Sequence, residues 1–414
     1  MKTRTLAILL ISFCIILPGS VLSTPSCDNY HVQLMGNPVH TAVAGDEKGI
    51  AVGGTRGTIG LIADNGSPLW VYKMEENITD VAISRDGRFV AASTFNGDLF
   101  YFTDKGTLLW NRSGFGCDSH VALSGDGQAG YVFSRDPKND PTGDTVFQFT
   151  SNGSVLSHLP IPFFSSHAVS SDGLRAVVGS GGSYDRNYLV AIDNAGIQWE
   201  KKIPGRWSIP GVALSYDGGT VAAIEPGSLT AFSGSGRTLW NVSPKYSAKS
   251  VAVSGDGQYV ALGTQYRIIY FTRSGSQLWE YSLQDYVTHL RVSKNGTGIA
   301  ATTPKTLYYL DGNGTNVWQY PLRDWPESLS MSETGELVAV GLYNNTFTVL
   351  DGTGNATEID LDTIPVRPIG TAGSGSPVNS SAVPTRSKPA PFNPLLAVIA
   401  VGSAGIFLSG GRFP

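Results

Sequence analysis

Cysteine and charge are both scarce in this chain. Three cysteines stand in 414 residues, Cys14, Cys27 and Cys117, and no two are adjacent. Charged residues make up 15%, against about 25% in ordinary domains, and 29 basic against 33 acidic side chains leave a net charge of −4. No basic stripe interrupts that balance, which excludes nucleic acid as a partner. The six histidines (His31, His40, His120, His158, His167, His289) are scattered, with no His-x-x-x-His pair, and no Gly-x-Ser-x-Gly elbow or phosphate-binding loop occurs. Asp136, Asp140 and Asp144 match no calcium-loop spacing. The expectation is a non-enzymatic chain with no catalytic residue, no metal site and no cofactor.

What the chain does hold is 50 glycines and a repeat. A short strand signal ends at Ala44, Ser84, Ser124, Ser170, Ser215, Ser254, Ser293 and Ser332, at spacings of 40, 40, 46, 45, 39, 39 and 39 residues. Asp86, Asp126, Asp172, Asp217 and Asp256 follow these anchors in Asp-Gly turns, where glycine supplies the positive φ of a tight hairpin. Third and fourth strand runs complete each unit. A period of about 40 residues with four short strands predicts an all-β fold, one eight-bladed β-propeller of four-stranded antiparallel blades, with seven blades as the fallback.

The fourth run carries Trp70, Trp110, Trp199, Trp240, Trp279 or Trp318. The ring stands four residues after a glycine in five copies and three after Gly196 in one. A large ring recurring at one place predicts packing between neighbouring blades. Ser157 and Glu358 hold that place in repeats three and eight, which are expected to be irregular. The repeated Ser-x-Asp-Gly, Phe/Leu-x-Asp/Ser-x-x-Gly and Leu-Trp resemble WD40-like and PQQ-like (quinoprotein-like) propeller repeats of prokaryotic, especially archaeal, cell envelopes, over residues 28 to 361. The resemblance implies the fold and leaves activity open, because propellers host many functions. The Gly-His and Trp-Asp marks of WD40 blades, the Thr-Gly-Lys of enzymatic PQQ repeats and the vicinal cysteines of quinoprotein dehydrogenases are all missing.

Both ends point to export. Met1-Lys-Thr-Arg, an apolar run from Leu6 to Leu17 and small residues after it read as a signal peptide, residues 1–23. An uncleaved anchor and a lipoprotein acylated on Cys27 are the alternatives. Residues 362–393 turn to Pro, Gly, Ser and Thr and read as a stalk, and 394–409 as an apolar membrane anchor or sorting tail closed by Arg412. Ten Asn-x-Ser/Thr sequons fit a glycosylated surface protein tethered to the outer face of the cell membrane. Cys27 and Cys117 are expected to remain unpaired, since the register sets one near a bottom turn and the other on the crossover between blades two and three. A disulfide needs Cα atoms within about 7 Å. Tyr30 to Leu34 is expected to pair into blade eight and close the ring.

Crossovers between blades share one face with the loops joining strands two and three. An aromatic recurs seven to nine residues before six anchors: Phe115, Phe163, Trp207, Tyr246, Tyr286 and Trp325. Lys202, Arg206, Lys245, Asp285, Arg323 and Asp324 accompany them, and the insertions Ser134 to Asp144 and Ser180 to Asn187 fall on the same face. Packing of crossovers on blade tops accounts for such rings; so does a rim that binds a cell-envelope protein or carbohydrate. Arg206, Lys245 and Arg323 join the six aromatics as candidate partner-binding residues. His120, His167 and His289 recur just before strand one, facing the channel or a blade interface. Two functions remain: a surface scaffold binding through the crossover face, and an exported quinoprotein-like enzyme or cofactor-binding propeller.

Overall fold

The computed structural model describes residues 37–135, 143–161, 163–181, 187–203 and 209–368. Eight antiparallel sheets of four consecutive strands form the blades: 39–73, 78–112, 117–160, 164–202, 212–242, 248–282, 289–321 and 326–360. The first strands of neighbouring blades lie against one another around the central channel, most closely between blades two and three and between blades eight and one. Second strands are sandwiched within their own sheet and between two blades, so Ile50–Gly54 and Leu337–Leu342 are buried at every residue and read as continuous small or apolar runs. Apolar clusters span adjacent blades, as with Val177 and Leu189 of blade four against Val221 and Phe232 of blade five.

Each anchor serine organises its own turn. Ser84 Oγ donates to Asp86 Oδ1 at 2.7 Å and accepts from the N–H of Phe89 at 3.0 Å, while Gly87 takes φ 69°. The residues after the anchors form a hydrogen-bonded belt around the channel mouth. Arg85 N–H donates to Gly125, Gly125 to Ser171, Ser171 to Tyr216, Tyr216 to Gly255, Asp256 to Lys294, Lys294 to Glu333, Glu333 to Gly45 and Asp46 back to Arg85, at 2.5 to 3.3 Å. That belt satisfies backbone groups which the hairpins alone leave unpaired.

The tryptophans pack between blades as expected. Each indole Nε1–H donates to a backbone carbonyl of the next blade: Trp70 to Asp104, Trp110 to Ser151, Trp199 to Gly234, Trp240 to Arg273, Trp279 to Gly312 and Trp318 to Gly352. The ring sits on a glycine two residues beyond that acceptor, Gly106, Gly153, Gly236, Gly275, Gly314 or Gly354, where an added Cβ would come within 2.6 to 3.1 Å of the indole. Blades three and eight have lost their own ring yet keep Gly153 and Gly354, because they receive one. Gly196 has no described side chain within 4 Å, since blade three offers only Ser157, and there the hairpin is one residue shorter.

Asn37, the first described residue, bridges in parallel to Asn344 of blade eight, its N–H donating to the Tyr343 carbonyl at 2.6 Å and its carbonyl accepting from Asn345 N–H at 3.0 Å. Blade eight is completed by its own outer strand, Ala356–Asp360, and Tyr30 to Leu34 lies outside the described residues. A 3-10 turn at Leu361–Thr363 leads from blade eight, and Arg367–Pro368 then pairs in parallel with Tyr72 and Lys73 as a fifth strand on blade one. Across the inner seam, Thr41 N–H donates to Ser328 Oγ at 3.0 Å. Glu358 keeps its strand pairing because the ladder there uses backbone only.

Cys117 is corrected as well. It opens the first strand of blade three, Cys117–Leu123, is fully buried and is disulfide-bonded. The other cysteines, Cys14 and Cys27, lie outside the described residues, so a distance argument from blade topology did not constrain them. The signal segment, the stalk and the apolar stretch 394–409 also lie outside them. Among the described residues no helix is long and apolar enough to cross a membrane.

Candidate functional site

The crossover face separates the predicted aromatics into core and surface. Phe115 is 3% exposed and meets Phe147 edge to face at 5.3 Å, so it packs the crossover and is unavailable to a partner. Phe163 is half-buried with φ 60°, a strained backbone for a bulky residue, and hands the chain to buried Phe164 beneath Arg135. Trp207 and Arg206 lie outside the described residues.

Two surface clusters remain. Trp325 is 46% exposed and stands 6.2 Å from Tyr286, joining the crossovers into blades seven and eight. Tyr246 meets Tyr266 edge to face at 5.5 Å, with Lys245 Nζ at 5.3 Å and the Arg267 guanidinium at 5.6 Å from its ring. Arg323 is committed to Glu358 at 3.0 Å. Beside Tyr246 a cavity of about 360 Å³ opens between blades five and six, walled by Pro210, Pro226 and Pro244 with Glu225 at its edge. Burial raises the Glu225 carboxyl above its ordinary range, although Thr230 and Ser228 hydroxyls oppose the shift. Sequence reading missed Tyr266 and the proline walls. An aromatic in the loop between strands two and three of blade six was the available signal, because that loop shares the crossover face.

The histidines lie within the first strands rather than before them. His120 Nδ1 is 3.6 Å from Asp80 Oδ2, and its ring is 5.7 Å from that of His167, which stacks on Phe133 at 4.0 Å. Asp80 also accepts from Val121 N–H at 3.2 Å, tying blade two to blade three. Burial opposes charge on His120, but the Asp80 carboxylate more than offsets it and holds the imidazole above its usual value. Burial would raise Asp80, and His120 instead holds it low. His167 is pushed down to about 3, by burial and then by His120; His289 goes down to about 4, by burial and then by Arg291. At the turn-side mouth Arg85 and Lys294 both pair with Glu333, and Arg85 lies over Tyr216. Among the described residues no group of three or more His, Cys, Asp or Glu side chains is arranged to hold a metal ion.

The family model described as outer membrane protein assembly factor BamB matches residues 128–285 and 217–364, together more than half of the chain. No curated protein matches the sequence. Among solved structures, BamB from Moraxella catarrhalis is 19% identical, with 77% of this chain and 92% of that chain covered and a TM-score of 0.54. Sqt1 from Chaetomium thermophilum, bound to the N-terminus of the ribosomal protein L10, is 15% identical over 74% of this chain and 94% of its own, with a TM-score of 0.61. The C-terminal WD40 domain of Sif2 is also 15% identical, covering 74% and 93%, with a TM-score of 0.58. At these identities the structural likeness is one of fold.

Proposed function

Because this chain belongs to the propeller family of the outer membrane protein assembly factor BamB, we propose that it is a non-enzymatic, exported scaffold that binds a cell-envelope protein through its crossover face. The observation that carries this reading is the pairing of exposed Trp325 with Tyr286 on the same face as the Tyr246 and Tyr266 cluster. Exposed rings beside Lys245 and Arg267 supply apolar area with a charged rim, the composition of a protein-binding patch. Sqt1, a propeller of like fold, is bound to a protein terminus. Tethering through 394–409 and glycosylation at the sequons belong to the same reading, supported by the apolar tail and by the ten Asn-x-Ser/Thr sites between Asn65 and Asn379.

A photo-crosslinking residue placed at Tyr286 in the full chain tests it. One protein should be captured in the native host, and Trp325→Ala with Tyr266→Ala should abolish that capture while leaving the melting temperature within a few degrees. Undiminished capture by the double variant would remove the crossover face from the proposal. The rival is a quinone-dependent enzyme, whose tricarboxylate cofactor needs several free cations facing one cavity. Arg85 and Lys294 are both paired with Glu333, which leaves Arg291 as a channel cation without a carboxylate partner among the described ion pairs, fewer than such a cofactor needs. Visible absorbance from a quinone in the purified protein would restore it.

A further inference from the structure

The turn face, opposite the crossovers, holds a cavity of about 520 Å³ between blades four and five, lined by Ala191, Trp199, Gly218, Gly219, Gly234 and Arg175 among others. Its origin lies in two vacancies that meet. In blades two, six and seven a tyrosine on strand three stacks on the blade's own Trp: Tyr101 on Trp110 at 5.0 Å, Tyr270 on Trp279 at 4.9 Å and Tyr309 on Trp318 at 4.9 Å. The hydroxyls of Tyr101 and Tyr270 donate to Gly127 and Gly296, in the Gly turn of the next blade. In blade four the residue paired with Trp199 is Ala191, and the corresponding turn carbonyl belongs to Gly218.

The receiving side is also stripped. Where blade three carries Gln128 and Ser151, and blade six Gln258 and Arg273, blade five carries Gly219 and Gly234. Blade five repeats the alanine, Ala231 opposite Trp240, but meets the filled turns of blade six. Among the described residues the missing phenol and the bare turn coincide between blades four and five alone. Gly218 carbonyl accepts no hydrogen bond among the described residues, and the Arg175 guanidinium forms none there either.

We propose that this cavity binds a small hydroxyaryl ligand, whose ring stacks on Trp199 where the sister blades seat a tyrosine and whose hydroxyl donates to the Gly218 carbonyl. Arg175 Nη1 lies beside Gly218 and Gly234, able to hold a polar substituent, while Gln198 Nε2 donates to Asp193 Oδ1 at 2.7 Å. The site is separate from the crossover face and stands or falls without it.

The test uses the full chain with p-cresol as probe, followed through the indole N–H resonances. A saturable shift confined to Trp199 is expected. Ala191→Tyr should fill the cavity as Tyr101 fills its own, abolishing the shift without lowering the melting temperature. If that variant fails to fold, Gly219→Gln, copying Gln128 and Gln258, should weaken binding at least tenfold. 4-Methylanisole, which has no donor, should bind several-fold more weakly than p-cresol. The proposal is overturned by no saturable shift, by equal shifts at all the indoles, by a foldable blocking variant that binds as wild type does, or by 4-methylanisole binding as tightly as p-cresol.

Discussion

Trp110 donates its indole N–H to the carbonyl of Ser151 at 2.7 Å, and in doing so fastens blade two to blade three. The same ring is stacked against Tyr101 of its own blade and meets Phe149 of the next edge to face at 5.9 Å. One side chain thus serves a sheet and the interface beside it. Among the described residues six such bonds are distributed around the ring, and the interfaces after blades three and eight have none.

Substitution at this ring separates packing from hydrogen bonding. Trp110→Phe keeps an aromatic on Gly153 but strands the Ser151 carbonyl, and should cost about 1 kcal/mol. Trp110→Ala removes the ring and should cost about 3 kcal/mol, at the low end of the range for large aromatics because the site is partly exposed. Urea titration of the two variants measures both. Equal losses would mean that the ring's packing contributes nothing beyond its donor.

The glycine seat is equally specific. Gly314 has φ 84°, and a Cβ there would stand 2.7 Å from the Trp279 ring of the preceding blade. Gly314→Ala therefore combines left-handed strain of about 1 kcal/mol with a clash, and a total loss of about 2 to 4 kcal/mol is expected. Gly196→Ala should cost only the backbone part, about 1 kcal/mol, since no described side chain lies within 4 Å. Similar losses at the two sites would contradict the seating role.

The period, the hairpin turns and the interblade tryptophans were legible in the sequence because each rests on local chemistry that recurs in most of the eight repeats. The Gly-x-x-x-Trp spacing was visible but its meaning was not, as the glycine and the tryptophan of one motif serve opposite interfaces of their blade. The fifth strand on blade one was not legible, because nothing in Arg367–Pro368 distinguishes a strand of two residues from the Pro-rich sequence after it. At the candidate face, the position of Trp325 was legible, whereas the burial of Phe115 depends on Phe147, contributed by another strand. The cavity at Ala191 could be read only by asking what its sister blades place opposite their tryptophans.

The disulfide at Cys117 gives a direct chemical prediction. Cys117 is fully buried and bonded, so it should resist alkylation by iodoacetamide in the folded protein until reductant is added. Closing a loop typically contributes about 2 to 4 kcal/mol, so reduction should lower the denaturation midpoint by a corresponding amount. Ready alkylation before reduction would show a free thiol.

The channel histidines set the acid limit of stability. Unfolded histidine titrates near 6.5, while His167 and His289 in the fold are held at about 3 and about 4. Between those values the unfolded chain binds protons that the folded one refuses, so stability falls as pH drops below about 6.5. His120 acts in the other direction: its raised value contributes stability that is complete below about 6.5 and is lost as pH rises through its folded pKa. Asp80, held low chiefly by His120, contributes above its unfolded value and loses that contribution as pH falls through the folded one. The urea midpoint should therefore be lower at pH 4.5 than at pH 7. His167→Gln should shrink that difference, because a neutral amide has no proton to gain on unfolding. His120→Gln should instead remove the contribution that the His120–Asp80 pair makes below about pH 6.5, because it leaves the Asp80 carboxylate beside Val121 N–H without its imidazole partner. An unchanged pH difference in His167→Gln would place the acid limit elsewhere in the molecule.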